Sequence, residues 1–253
     1  MGVRLLLRDR PHAVAVSWLV LAPEEGRLAV RVALITGASG QVARALAQRL
    51  RGEGWRLVLV SRDVSRLDPG ERDLLVQSDV STPGGAEAAL ALAAEHCGCT
   101  PDALVHCAGN PAVVPFGRVT AEAFRTCIAA AVDTAFFSVQ VYVRSLLQAR
   151  RAGSIVLFGS APATAAGARH AALAVAGGAI AALVRAVAVE YSAQGIRINA
   201  VAPDSVPAGD VVRAAEGAAV AAWLLGHDAR SLNGEVIQLG RPATPAPVVG
   251  AGA

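Results

Sequence analysis

Two groups of residues in this chain have types or spacing that could do chemistry. The first is Thr36-Gly37-Ala38-Ser39-Gly40-Gln41-Val42-Ala43, which reads as a strand end, a glycine turn and a helix start. Backbone N–H groups at a helix N-terminus reach a pyrophosphate only where side chains leave the approach open, and glycine provides that clearance. The second is a serine and a histidine, Ser160 and His170, whose types allow acid–base chemistry and whose spacing assigns them no role. A hydroxyl can hold a carbonyl oxygen, and an imidazole that titrates near neutrality can hand it a proton. Either group alone is a thin signal, since a histidine at a helix start is more often solvent-exposed than catalytic. Their meaning depends on the elements that carry them.

Apolar strand-like runs at residues 30–35, 56–60, 103–107, 154–158, 197–200 and 235–239 alternate with helical patterns at 42–51, 87–95, 121–147 and 170–191. A further helix is expected around 218–225. Strands separated by helices predict one α/β domain, a doubly wound parallel sheet of the Rossmann type. At 253 residues, 54% of them hydrophobic, the chain can bury the core such a domain needs. The pattern occupies residues 30–240. Residues 1–29 precede it and are read as an added edge strand or hairpin, or as an upstream start; 241–253 (RPATPAPVVGAGA) read as a frayed tail.

Composition removes several functions. The apolar run at 13–22 is about half the length needed to cross a bilayer, and Pro23-Glu24-Glu25-Gly26 after it is no cleavage site. No membrane span and a cytoplasmic location are therefore expected. A net charge of +3 without a basic run or interleaved aromatics argues against nucleic acid. Cys97, Cys99, Cys107 and Cys127 lack the paired spacing of a zinc site and are expected to be buried, reduced thiols; Cys97-Gly98-Cys99 reads as loop packing rather than a metal or redox motif. All 23 basic residues are arginine, so no lysine exists to do amine chemistry, and Tyr142 and Tyr191 are the two tyrosines.

After the glycine loop the chain supplies Ser61-Arg62 past the second strand, Asp79-Val80 past a third that the apolar runs above do not mark, and Ala108-Gly109 past the fourth, the run at 103–107. Gly159-Ser160 follows the fifth, and Gly195-Ile196-Arg197-Ile198-Asn199-Ala200-Val201-Ala202-Pro203 covers the sixth. This series resembles the short-chain dehydrogenase/reductase family, especially members similar to 3-oxoacyl-thioester reductases. The resemblance implies a dinucleotide partner held by Thr36, Gly37, Ser39, Gly40, Gln41, Val42, Ser61, Arg62, Asp79, Val80, Ala108, Gly109 and Pro203, with Asp79 at the adenine and Ala108-Gly109 along the ribose. Arg62 stands where an arginine can pair with a ribose 2′-phosphate, which favours NADP(H) over NAD(H). Asp63 follows it directly, and the competing reading of Arg62 is a solvated surface side chain. The loop departs from T-G-x-x-x-G-x-G at Gln41 and Ala43; the spacing T-G-x-x-G-x-x-A fits it better, because a Gln in a left-handed turn facing phosphate would cost affinity.

The family's chemistry uses a serine that holds the substrate oxygen, a tyrosine that moves the proton, a lysine in Y-x-x-x-K that lowers the tyrosine pKa, and an asparagine that anchors a relay water. By resemblance Ser160 is the serine. Glu190, Gly195 and Asn199 in register put Leu173 at the tyrosine position and Gly177 at the lysine position. His106-Cys107-Ala108-Gly109 replaces N-N-A-G, the relay asparagine aligns near Val132-Asp133, Asp204 replaces a glycine after Pro203, and the substrate loop is cut short between Ser205 and the next helix. His106 is expected to be a hydrogen-bonded histidine at the end of a buried strand. The resemblance thus implies an NADP(H)-binding pseudoenzyme or partner subunit of an active reductase, a homo- or hetero-oligomer joined through the Ala-rich helices at 121–148 and 170–191. The alternative is an unorthodox oxidoreductase, or a dehydrating or cyclising enzyme on a polyketide-like substrate, using Ser160 and His170. A dinucleotide sensor that docks on another protein is the third.

Overall fold

A computed structural model describes residues 4–5, 16–17, 30–107, 109, 114–159, 171–203 and 210–240. The first strands are β1 (Arg4–Leu5), β2 (Val16–Ser17), β3 (Val32–Thr36), β4 (Arg56–Ser61) and β5 (Leu74–Gln77). They are followed by β6 (Ala103–His106), β7 (Gly153–Phe158), β8 (Ile196–Pro203) and β9 (Val236–Leu239). All nine lie in one sheet, ordered β1-β2-β5-β4-β3-β6-β7-β8-β9. From β5 to β9 every pairing is parallel, whereas β1 and β2 add antiparallel to the β5 edge, Val16 opposite Val76. The doubly wound sheet expected from the alternating pattern is present, with a short hairpin contributed from the segment ahead of it.

Strand residues alternate between two cores because successive side chains point to opposite faces. On β3, Val32 and Leu34 join one core, while Ala33 and Ile35 join the other. The second core is covered by α1 (Gln41–Gly52) and α6 (Val211–Leu225) through residues such as Leu46, Leu50, Ala221 and Leu224. The first is covered by α2 (Pro83–Cys97), α4 (Thr134–Ala149) and α5 (Ala171–Tyr191). A third short helix, α3 (Ala121–Ile128), runs into α4 through a π turn, Ala129–Asp133. The helix expected as one piece is thus interrupted by a wider turn, a feature that hydrophobic periodicity does not report. Likewise α2 extends past both ends of its expected span, started by the Thr82 hydroxyl accepting from the Gly85 N–H with Pro83 next, and stopped at left-handed Gly98. The last helix starts at Val211, earlier than its apolar pattern suggested, because the Asp210 carboxylate caps the Arg213 N–H.

The N-terminal edge of the parallel sheet is tied by charge. Asp102 accepts from the Val32 N–H at 2.8 Å and pairs with Arg151 at 2.6 Å, while the buried Tyr142 hydroxyl donates to the Pro101 carbonyl at 2.9 Å. At the other flank, Arg197 donates to the carbonyls of Leu224 and Ala229, and Asn199 bridges the Leu232 carbonyl and the Glu235 N–H, which holds β9 against β8. Both ties leave the C-terminal edge of the sheet open.

Candidate functional site

The winding of the sheet reverses between β3 and β6, where Thr36 lies opposite His106. In a doubly wound sheet a crevice forms at the strand ends on either side of such a point. Here it is a cavity of about 360 Å³, within the roughly 300–1,000 Å³ range of small-molecule sites. Its walls come from Gly37, Ser39 and Gly40 after β3, Val60 to Arg62 at the end of β4, Ser78 to Ser81 after β5, Cys107 and Gly109 after β6, and Thr126, Ala129, Ala130 and Thr134 on the α3–π–α4 segment.

The glycine loop is shaped by its own backbone. Gly37 is left-handed at φ 68°, and its carbonyl accepts the Gly40 N–H at 3.1 Å. Gly40 is the N-cap of α1 and contributes no side-chain cap, and no acidic residue occupies the first turn. Gly37, Ser39 and Gly40 line the cavity at the N-terminus of α1, so the helix dipole meets it with no acidic side chain in the first turn, the arrangement that receives a phosphate. Gln41 is the first helical residue and is not left-handed, so the strain that a Gln in the turn would carry does not arise. Ala43 is buried against the sheet, where a small side chain permits close helix packing. Thr36 is buried beneath the loop, Val42 lies beside Gly217 of α6, and Pro203 ends β8, half-buried; none of the three lines the cavity.

Past β4 the Ser61 hydroxyl is engaged with the Asp63 backbone, and the Asp63 carboxylate accepts from both the N–H and the hydroxyl of Ser65 at 3.1 and 2.6 Å. These bonds hold the Asp63 carboxyl below its ordinary pKa and spend it on capping a short 3₁₀ turn. Arg62, exposed, remains at the cavity wall, and Arg44 of α1 steadies the same loop by donating to the Arg66 carbonyl at 2.8 Å. Asp79 accepts from the Ser81 N–H and hydroxyl, and Val80 is buried at the wall.

His106 is fully buried, with Thr36 Oγ1 2.7 Å from Nδ1 and Thr134 Oγ1 3.1 Å from Nε2. Burial alone pulls its pKa down to about 4, so the ring is neutral. Next to it burial raises the Cys107 thiol, which makes a slow nucleophile. Among the four free thiols Cys127 is buried but Cys99 is exposed, against the expectation of uniformly buried cysteines, because it follows the helix stop at Gly98.

Of the residues singled out from sequence, Ser160, His170, Ala108 and Asp204 lie outside the described residues. Leu173, half-buried, and Gly177, buried, occupy the first turns of α5. Both tyrosines are at the N-terminal edge of the sheet: Tyr142 bonded to Pro101 just ahead of β6, and Tyr191 ending α5 just ahead of β8. The cavity opens at the other edge. Sequence reasoning missed Thr126, Ala130 and Thr134, although their i, i+4, i+8 spacing puts them on one helix face; nothing local said which face met the cleft.

A Rossmann sheet with a phosphate-type glycine loop at its switch point defines a dinucleotide-binding class of fold. Residues 31–216 match the family model for short chain dehydrogenases, and the chain belongs to that family, whose members bind nicotinamide dinucleotides. Over 243 residues it is 27% identical to a probable 2,4-dienoyl-CoA reductase of Bacillus subtilis, covering 83% of this chain and 94% of that one. It is 32% identical to L-xylulose reductase of Bos taurus, covering 71% and 73%. A short chain dehydrogenase crystal structure from Bacillus anthracis superposes with a TM-score of 0.75 over 83% of this chain and 94% of that one; at 24% identity the likeness is one of fold.

Proposed function

We propose that the chain is an NADP(H)-binding short-chain dehydrogenase scaffold, derived from a carbonyl or 3-oxoacyl-thioester reductase, that has lost its proton-transfer end and serves as a pseudoenzyme or as the partner subunit of an active reductase. The observation that carries this reading is the placement of both tyrosines at the sheet edge away from the cavity, in a sequence without lysine. With Leu173 and Gly177 in the family's tyrosine and lysine positions, a bound nicotinamide would deliver hydride to a carbonyl with no phenol to protonate the oxygen. Loss of that general acid costs at least about 10²-fold.

Preference for the 2′-phosphorylated cofactor rests on Arg62 at the wall and on Asp63 being turned into its own cap. A carboxylate held that way is not presented to ribose hydroxyls, whereas a guanidinium at the mouth can pair with phosphate. Arg62→Ala is expected to weaken NADPH binding about 10- to 100-fold, the scale of one charge-assisted contact, and to leave NADH binding within two-fold; fluorescence titration of both cofactors checks it. The partner surface in this reading is the outer face of α3 to α5, where Phe124, Phe136, Val175 and Val189 are exposed. Sedimentation of the isolated chain distinguishes self-association from a face that awaits a different subunit.

The test of function is NADPH binding by fluorescence, followed by its oxidation with a panel of 3-oxoacyl thioesters and quinones, for the natural chain and His170→Ala. Binding without turnover is the expected result. Turnover abolished by His170→Ala would overturn the pseudoenzyme reading in favour of a working Ser160–His170 pair.

A further inference from the structure

We propose that His106 is a positioning residue that sets the spacing between the two walls of the cofactor cavity, by bridging the strand that launches the glycine loop and the π turn that lines the opposite side. The inference rests on the reading of the cavity as a dinucleotide site. Its basis is a chain of three hydrogen bonds centred on the fully buried ring. Thr134 Oγ1 donates its single proton to the Ala130 carbonyl at 2.9 Å. The contact between Thr134 and His106 Nε2 therefore has the ring as donor, and Nδ1 accepts from the Thr36 hydroxyl at 2.7 Å. This is the arrangement in which the Ala130 carbonyl keeps its donor, and on that ground the imidazole is assigned its Nε2–H tautomer.

The ring joins two walls of the cavity, the end of β3 and the start of α4. Thr36 leads directly into Gly37, and its carbonyl accepts the Cys107 N–H at 2.9 Å. On the other side Ala130 and Thr134 both line the cavity; Ala130 lies in the π turn and Thr134 is the first residue after it. A π turn leaves helical carbonyls poorly matched to donors and commonly marks a functional position; here the Thr134 hydroxyl takes one of them and His106 fixes that hydroxyl. An asparagine at position 106 would carry both of its polar atoms at the δ position and could reach one threonine, whereas the imidazole places Nδ1 there and Nε2 one atom farther out. Histidine spans the gap, which gives this chain a rigid strut of its own at the switch point.

The test is a double-mutant cycle read in the NADPH dissociation constant, with urea midpoints measured in parallel so that binding is compared among folded proteins. Thr36→Val and Thr134→Val each remove one end of the strut and are expected to weaken NADPH about ten-fold, the scale of a lost hydrogen bond in a binding site. The double variant is expected to lose about the same ten-fold in total, not the product of the two, since either change alone already frees the ring. Thr134→Ser, which keeps the hydroxyl, is expected to bind within two-fold of the natural chain. Imidazole NMR is expected to show the neutral Nε2–H ring in the unsubstituted protein. Singles that bind normally while their urea midpoints fall, or losses that multiply to about a hundred-fold, would reduce His106 to a packing residue. Failure of the unsubstituted chain to bind NADPH would overturn the dinucleotide reading and this one with it, whereas normal binding that the variants leave unchanged overturns this one alone.

Discussion

Gly85→Ala is expected to destabilise the fold by about 3 kcal/mol or more, the upper end of what overpacking costs, while Gly84→Ala next to it is expected to stabilise by about 0.5–1 kcal/mol. The two glycines open α2 side by side and differ in what surrounds them. A Cβ on Gly85 would sit 2.0 Å from the Asp79 carbonyl oxygen and 2.8 Å from its carbon, backbone atoms that cannot turn aside. The same glycine donates its N–H to Thr82 Oγ1 and accepts the Ser78 hydroxyl, so it is the hub of the turn from β5 into α2. A Cβ on Gly84 meets nothing within 4 Å, and the residue is exposed. There the methyl group only removes backbone freedom from the unfolded chain. Urea denaturation of both variants at neutral pH checks the contrast. Because Ser78, Asp79, Val80 and Ser81 line the cavity, Gly85→Ala is also expected to weaken NADPH binding in whatever fraction remains folded.

Acidification is expected to remove about 3 kcal/mol of stability through His106 alone. In the unfolded chain the imidazole titrates at its ordinary 6.5, and in the fold burial holds it near 4. Between those values the unfolded state binds a proton that the folded state does not, so stability rises with pH. The contribution is complete above pH 6.5, declines as pH falls through that interval, and is fully lost below about 4; at about 1.4 kcal/mol per unit the loss is about 3 kcal/mol. His96, whose pKa is lowered by partial burial and then by Arg56, acts in the same direction. Urea midpoints from pH 7 down to 4.5 check it: the slope should flatten in His106→Asn, and an unchanged slope would place the acid sensitivity elsewhere.

Strand and helix order could be read along the chain because it depends on short-range periodicity, and the alternation of β3 residues between two cores is that periodicity seen in space. The glycine loop and its neighbours at the strand ends could be read as well, since parallel strands with helical crossovers bring the ends of β3, β4, β5 and β6 together whatever the side chains are. The absence of lysine needed no structure. Where the two tyrosines lie did: each is on a helix, and only the packing direction of α4 and α5 against the sheet sends Tyr142 to Pro101 and Tyr191 to the start of β8. Asp63 looked in sequence like a rival to Arg62 for the ribose, until a turn two residues long claimed its carboxylate. The π turn and the bridge from Thr36 through His106 to Thr134 were hidden for the same reason. Their partners lie 70 and 28 residues apart along the chain, and a hydrogen bond inside a protein is chosen by which groups burial leaves facing one another, which residue type and spacing do not encode.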